Sequence, residues 1–185
     1  AFLDVMKFDY TELSGLDDYH HPEGIIEEAQ VLLAKTYGAQ HSFFLVNGST
    51  VGNLAMVYAT CKEGDRVLVQ RNAHKSVFHA LELVGAYPIF LTPEWDEVTH
   101  TATHVSLATM TVAIEQYSDA KAIILTHPTY YGVASPTMNE VIRLAHSYGI
   151  PVLVDEAHGA HFVGSAEFPM SALEMGADVV VQSAH

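Results

Sequence analysis

Hydrophobic residues follow two different spacings along this chain, one typical of helices and one typical of buried strands. Short apolar runs predict strands at residues 43–46, 67–69, 87–91, 122–126, 152–154 and 179–181. Between them, helical spacing predicts helices at residues 22–37, 50–61, 75–84, 106–117 and 138–148, with a short helix near Ser171. Strands that alternate with helices form βαβ units, so the predicted fold class is α/β, a three-layer α/β/α arrangement with a mostly parallel central sheet.

The ends of the predicted helices carry residue types that favour helix boundaries. Pro22 stands where the first helix would begin, and Gly38 follows at the position of a C-terminal cap. Gly149 ends the helix at residues 138–148 in the same way. Because no linker, repeat or low-complexity segment interrupts the pattern, residues 1–185 are predicted to form a single domain.

Composition and charge narrow the class of protein. Hydrophobic residues make up 49% of the chain and charged residues 16%, which predicts a globular protein. The net charge of -14 argues against a nucleic-acid partner and is compatible with basic small molecules. No apolar run approaches the roughly 18 residues of a membrane span, and no signal peptide is evident, so no membrane association is expected. The single cysteine, Cys61, excludes a disulfide framework and favours a cytoplasmic location.

Polar clusters follow four of the predicted strands: NGST at 47–50, RNAH at 71–74, DEAHGAH at 155–161 and SAH at 183–185. Ligands of open parallel sheets bind beyond the carboxyl ends of the strands, so these clusters are expected to face one region. Gly48, Ser49 and Thr50 begin a helix, where free backbone N–H groups and hydroxyls favour a phosphate. The alternative is an ordinary N-cap by Ser49 or Thr50.

Asp155 follows an apolar strand, where an unpaired carboxylate is costly. It needs a cationic partner, and no lysine or arginine is close in sequence. The protonated ring nitrogen of a ligand would serve, whereas the alternative is an ion pair with a distant arginine or a loop cap.

Four histidines, His74, His158, His161 and His185, follow three of the predicted strands. A metal cluster would explain them, but no HExxH or similar ligand spacing occurs, so no metal site is predicted. His161 could instead be a core residue. DEAH does not indicate a helicase, because the GxxxxGK phosphate loop of nucleotide hydrolases is absent, and no GxSxG nucleophile motif occurs either.

Taken together, these segments resemble the fold type I pyridoxal-phosphate enzymes, and more narrowly the ornithine/lysine/arginine decarboxylase family. The resemblance covers nearly the whole chain. Its most specific segments are LSGLDDYHHPEGIIEEAQ at 13–30, FFLVNGSTVGN at 43–53, RNAHKS at 71–76, PTYYG at 128–132, VDEAHGAH at 154–161 and QSAH at 182–185. DEAHG also occurs in α-oxoamine synthases, so RNAHKS and LDDYHHPEG favour the decarboxylases.

The resemblance implies a cofactor, pyridoxal 5'-phosphate, and a set of residues that bind it. These are Gly48, Ser49, Thr50, His74, Asp155, Ala157, His158, Ser183 and His185. In the family pattern, the hydroxyls of Ser49 and Thr50 hold the phosphate, with help from Ser183 and His185. The two catalytic groups would be His74, which stacks on the pyridine ring, and Asp155, which pairs with the pyridine nitrogen.

The activity implied by the resemblance is decarboxylation of lysine, ornithine or arginine to the corresponding amine, a reaction of polyamine metabolism. The intact enzyme is expected to be a homodimer or higher homo-oligomer whose partner subunit completes the substrate pocket. The chain is expected to be a fragment that stops just before the Schiff-base lysine and is inactive alone. Two alternatives stay open, another fold type I enzyme such as an aminotransferase or α-oxoamine synthase, and a non-catalytic pyridoxal-phosphate-binding relative.

Overall fold

A computed structural model describes residues 4–8, 13 and 15–184 of the chain. Two compact units are present, residues 1–44 and residues 45–185. Every predicted site residue falls in the second unit, and His185 alone among them lies outside the described residues.

In the first unit, the main element is helix α1, Ile25–Tyr37. The Asp17 carboxylate accepts hydrogen bonds from the backbone N–H groups of Glu23 at 3.0 Å, Gly24 at 3.2 Å and Ile26 at 2.7 Å. The helix therefore begins three residues after Pro22, because Asp17 supplies the partner for its first N–H groups. Those bonds lower the pKa of Asp17. Gly38 caps the other end in a left-handed conformation, φ 71°, as predicted.

The second unit contains seven strands and four helices among its described residues. The strands are β1 Arg66–Gln70, β2 Tyr87–Leu91, β3 Trp95–Asp96, β4 Thr101–Ala102, β5 Ala122–Thr126, β6 Val152–Glu156 and β7 Val179–Gln182. The helices are α2 Gly48–Thr60, α3 Lys75–Val84, α4 Leu107–Gln116 and α5 Met138–Ser147. Five strands form one sheet in the order β2-β1-β5-β6-β7, and every neighbouring pair is parallel.

The helices cover both faces of this sheet, which confirms the three-layer α/β/α prediction. Alternate strand residues point to opposite faces. Leu153 packs with the buried residues of α2 and α3, whereas its neighbours Val152 and Val154 pack with those of α4 and α5. The same alternation decides where the polar residues at the end of β6 point.

Three details of the predicted elements are wrong. Residues 43–46 form no strand, and Phe43 is 73% exposed with no neighbouring strand to pair with. No helix forms near Ser171: Ser171 and Glu174 exchange hydrogen bonds as in a capping box, but Gly176 at φ 98° ends the turn. The small antiparallel pair of β3 and β4 was not predicted. No helix within the described ranges has the length and apolar character needed to span a membrane.

Candidate active site

Asp155 lies near the carboxyl end of β6 and is 3% exposed. It shares a strand face with Leu153, so its side chain points toward the layer of α2 and α3. Its Oδ2 accepts a hydrogen bond from Asn53 Nδ2 at 2.8 Å, and its Oδ1 accepts one from the backbone N–H of Ala157 at 3.1 Å. None of the ion pairs found in the described residues involves Asp155.

A chain of hydrogen bonds joins Asp155 to His74. Asn53 Nδ2 also donates to Ser76 Oγ at 2.9 Å, and Ser76 Oγ lies 2.8 Å from His74 Nδ1. His74 caps helix α3, where its Nδ1 accepts the backbone N–H of Ser76 at 3.3 Å. Asn53 and Ser76 are buried, whereas His74 is exposed. The structure therefore brings the two predicted catalytic residues into one network.

Two buried groups of this network lack an interaction that a cationic, hydrogen-bonding ligand could supply. Asp155 is a buried carboxylate with hydrogen bonds but no cation near it in the described part of the chain, which is costly. Asn53 Oδ1 is also buried without a partner. Of the two alternatives for Asp155, an ion pair with a distant arginine is not seen among the described residues, whereas the loop cap is seen in the bond from the backbone N–H of Ala157. A protonated ring nitrogen fits the charge that Asp155 requires.

The start of helix α2 carries the predicted phosphate residues. Asn47 and Gly48 have left-handed conformations, φ 64° and 70°, and the Asn47 side chain does not cap the first helical N–H groups in the described structure. Ser49 is half-buried and Thr50 is exposed. The alternative, an ordinary N-cap by Ser49 or Thr50, is not formed. Free N–H groups at a helix start favour an anion.

Close packing places this helix start beside the end of β7. A Cβ atom at Gly52 would lie 2.7 Å from Val181 Cγ1, so only glycine permits the observed approach. Ser183 follows Val181 by two residues and is half-buried. The prediction for His185 falls outside the described residues.

Ala157 and His158 follow β6 but differ in what they contact. Ala157 holds Asp155 through its backbone, whereas His158 is exposed and packs edge-on to Tyr130, with ring centroids 5.9 Å apart. His161 is also exposed, so the alternative of a core residue is not seen; its ring packs against Phe168, with ring centroids 4.8 Å apart. In the part of the chain that the structure describes, no group of three His, Cys, Asp or Glu side chains could hold a metal.

Sequence reasoning missed Glu156, which is 0% exposed. It points to the opposite face from Asp155, where Oε1 accepts the backbone N–H of Ala172 at 2.7 Å and Oε2 accepts Gln182 Nε2. Burial and, to a smaller extent, the nearby Glu174 raise the pKa of Glu156 to about 7 against the lowering effect of the two hydrogen bonds. Successive side chains of a strand point to opposite faces of the sheet. The adjacent Asp and Glu of the DEAH segment could therefore have been expected to face different layers.

His127, at the end of β5, was missed as well. Its Nδ1 accepts the backbone N–H of Ser135 at 3.2 Å and its Nε2 lies 3.3 Å from the carbonyl oxygen of Met170, which defines a neutral imidazole that donates from Nε2. Burial lowers its pKa, partly offset by the Met170 bond. Asn53 and Ser76 were also missed, although both lie inside motifs that had been singled out, NGSTVGN and RNAHKS.

The parallel sheet, its two helical layers and the polar residues at its carboxyl edge define the large-domain architecture of fold type I pyridoxal-phosphate enzymes, as predicted. The chain belongs to the Orn/Lys/Arg decarboxylase family, whose major domain matches residues 3–185.

Individual relatives agree with this family. The uncharacterized protein YaaO of Bacillus subtilis is 60% identical over 98% of this chain and 38% of its own length. An arginine decarboxylase of Bacillus cereus is 44% identical over 98% of this chain and 39% of its own length. Among solved structures, lysine decarboxylase A from Pseudomonas aeruginosa has a TM-score of 0.74 and 25% identity, covering 88% of this chain and 24% of that one. The chain thus spans about two fifths of the length of these two curated relatives.

Proposed function

We propose that the protein is a pyridoxal-phosphate-dependent decarboxylase that converts lysine, ornithine or arginine to the corresponding amine. The observation that carries the proposal is the buried Asp155 carboxylate, oriented by Asn53 and Ala157 and lacking a cation among the described residues. Membership in the Orn/Lys/Arg decarboxylase family supports decarboxylation over transamination or oxoamine synthesis. The net charge of -14 is compatible with a basic substrate.

The residues that would hold pyridoxal phosphate lie at the carboxyl edge of the sheet. Ser49, Thr50 and the free N–H groups of α2 from Gly48 onward would bind the phosphate, with Ser183 and His185 from the end of β7. His158 and Ala157 would line the edge of the ring. When bound, pyridoxal phosphate supplies an electron sink for the electron pair released as carbon dioxide leaves Cα.

The chain's own residues would prepare this chemistry by orientation and charge. Asp155 would hold a proton on the pyridine nitrogen, because a carboxylate fixed by two hydrogen bonds stabilises a neighbouring cation. His74 would stack on the ring and position it so that the bond to carbon dioxide is the one that breaks. The helix start at Gly48 would anchor the other end of the cofactor.

The same proposal includes a metabolic role, a cellular location and an oligomeric state for the whole protein. A diamine or agmatine-type product belongs to polyamine metabolism, and the single, buried Cys61 agrees with a reducing cytoplasm. A homodimer or higher oligomer would complete the substrate pocket. A non-catalytic pyridoxal-phosphate-binding relative is the second candidate.

The test is product analysis with the protein at its full natural length. With lysine, ornithine or arginine, we expect release of carbon dioxide and an amine, whereas a transaminase would yield an oxo acid. Asp155→Ala should lower kcat by about a hundredfold or more, as does loss of a preorganised charge at a reacting centre. Asp119→Ala is the matched control, because this exposed carboxylate pairs with Arg66.

Two results would contradict the proposal. Wild-type turnover in the Asp155→Ala variant would reject the assignment of that carboxylate. Absence of amine from all three substrates, with cofactor bound, would reject the decarboxylase itself and favour the non-catalytic relative.

A further inference from the structure

We propose that Asn53 is a positioning residue that couples the Asp155 carboxylate to the His74 imidazole through Ser76. The amide nitrogen of Asn53 lies 2.8 Å from Asp155 Oδ2 and 2.9 Å from Ser76 Oγ, so each of its two hydrogens has an acceptor. Asn53 and Ser76 are each only 1% exposed, which keeps water from replacing either bond.

The available donors and acceptors determine which group donates in each hydrogen bond between Asn53 and His74. The backbone N–H of Ser76 donates to His74 Nδ1 at 3.3 Å, which makes that nitrogen an acceptor. The Ser76 hydroxyl, 2.8 Å from the same nitrogen, therefore donates to it while its oxygen accepts from Asn53. His74 Nδ1 is therefore an acceptor, and neutral His74 carries its hydrogen on Nε2.

Asp155 fixes the orientation of the Asn53 amide. If the amide were reversed, Asn53 Oδ1 would face Asp155 Oδ2 and two acceptor oxygens would oppose each other. The observed orientation leaves Oδ1 buried and without a partner, which is an unusual state for a buried polar atom. The carboxylate thus orients, through one amide, the hydroxyl that donates to His74 Nδ1, the nitrogen that also accepts the backbone N–H of Ser76.

This inference rests on the proposed function, in which Asp155 and His74 would contact the same pyridine ring. One side chain would then keep the carboxylate oriented for the ring nitrogen and keep the stacking imidazole in one tautomer. Asn53 contacts neither substrate nor reacting atoms in this scheme, so it positions and does not catalyse.

The test measures how fast the C2 hydrogen of the His74 imidazole exchanges with deuterium, by mass spectrometry of the full-length protein without cofactor near neutral pH. Asp155→Ala should change this rate about two- to tenfold, the equivalent of one hydrogen bond, although Asp155 does not touch His74. In protein that already carries Asn53→Leu, Asp155→Ala should cause no further change in the exchange rate, because the hydrogen bonds that connect Asp155 to His74 are already broken.

Ser76 provides a second, milder test. Ser76→Ala should change the His74 rate by a similar factor, and Ser76→Thr, which retains the hydroxyl, should restore it. Asn139→Leu is the matched control, since it removes the same amide from α5, on the other face of the sheet, and should leave the rate unchanged. Asn53→Leu should also raise the dissociation constant of pyridoxal phosphate more than Asn139→Leu does.

The coupling would be overturned if Asp155→Ala left the His74 rate unchanged, or changed it equally with and without Asn53. If Asn53→Leu does not fold, an unchanged rate in Ser76→Ala overturns it. The exchange rate needs neither substrate nor cofactor. Lack of decarboxylation alongside the expected exchange pattern would therefore reject the proposed function and leave the coupling standing.

Discussion

Asp155 and Glu156 are adjacent carboxylates with opposite surroundings. Asp155 faces the α2 and α3 layer and accepts an amide and one backbone N–H, whereas Glu156 faces the other layer and holds Ala172 and Gln182. Strand geometry separates the two side chains. One carboxylate is therefore available to a ligand, and the other joins the end of β6 to the end of β7.

Glu156 should make stability depend on pH. Its folded pKa is raised from 4.5 to about 7, so the protonated form is favoured in the fold. The corresponding stability is fully present below about pH 4.5 and lost as the pH rises through about 7, a change of about 3 kcal/mol. The Glu156→Gln variant has no titrating group at this position and serves as the reference. Relative to it, the free energy of unfolding of the wild-type protein, measured in urea, should fall by this amount between pH 4.5 and 8.

The control for this measurement is Glu115→Gln, an exposed carboxylate on α4. The difference in the free energy of unfolding between this variant and the wild-type protein should be nearly the same at both pH values. A pH-independent difference for Glu156→Gln as well would mean that Glu156 has the same pKa in the folded and unfolded protein, against the raised value.

At the scale of single residues, the sequence predicted where the site residues lie in the fold better than it predicted which residues they contact. Asp155 and His74 follow apolar strands, so their place at the carboxyl edge could be inferred. The connection between them could not, because Asn53 and Asp155 lie 102 positions apart and meet only through packing of α2 on the sheet. His161 shows the same limit, since no local pattern distinguished it from the buried His127.

At the scale of elements, the loop after β6 explains why a glycine stands in DEAHG. A Cβ atom at Gly159 would lie 2.6 Å from Glu156 Cγ and 2.9 Å from the ring of Pro128. Both neighbours are held in place, one by two hydrogen bonds and the other by its ring. The loop can lie against the sheet edge only because this position lacks a side chain.

Gly159→Ala should therefore destabilise the protein by about 1 to 3 kcal/mol, the usual cost of overpacking. Gly164→Ala is a matched control a few residues away, where an added Cβ would have no neighbour within 4 Å. Urea unfolding of both variants at one pH gives the comparison. Equal midpoints would show that the loop adjusts freely and that the contact imposes no constraint.

The start of α2 permits a test of the phosphate site. Changing Ser49 and Thr50 together to Ala should weaken binding of pyridoxal phosphate, because each lost charge-assisted hydrogen bond costs about 1.5 to 3 kcal/mol. Thr60→Ala, at the far end of the same helix, is the control. An unchanged dissociation constant in the double variant would place the phosphate elsewhere.

Element prediction succeeded where an apolar run has a strand alongside it. Strands β2 and β5, each paired with β1, have the predicted bounds, as does helix α3. Residues 43–46 had an equally apolar pattern but form no strand, since a run of hydrophobic residues does not specify a partner. Pairing depends on what lies alongside, which a single segment does not encode.

At the scale of the whole molecule, exposed aromatic residues lie near the candidate site. Tyr130 and Tyr131, in the PTYYG segment after β5, are 76% and 64% exposed, and Tyr130 contacts His158. Large exposed aromatic side chains are typical of surfaces that bind a partner. These two tyrosines are therefore candidates for contact with a second subunit.

We expect the full-length protein to be at least a homodimer in which the partner subunit completes the substrate pocket. Closed twofold symmetry is the commonest way for a soluble protein to assemble, and an active site shared between subunits loses activity when they separate. Sedimentation velocity at micromolar concentration should show the dimer, and specific activity should fall on dilution in step with its dissociation. Tyr131→Ser should shift both transitions to higher protein concentration, whereas Tyr148→Ser, beyond the end of α5, should not. A monomer with full specific activity would disprove the shared pocket.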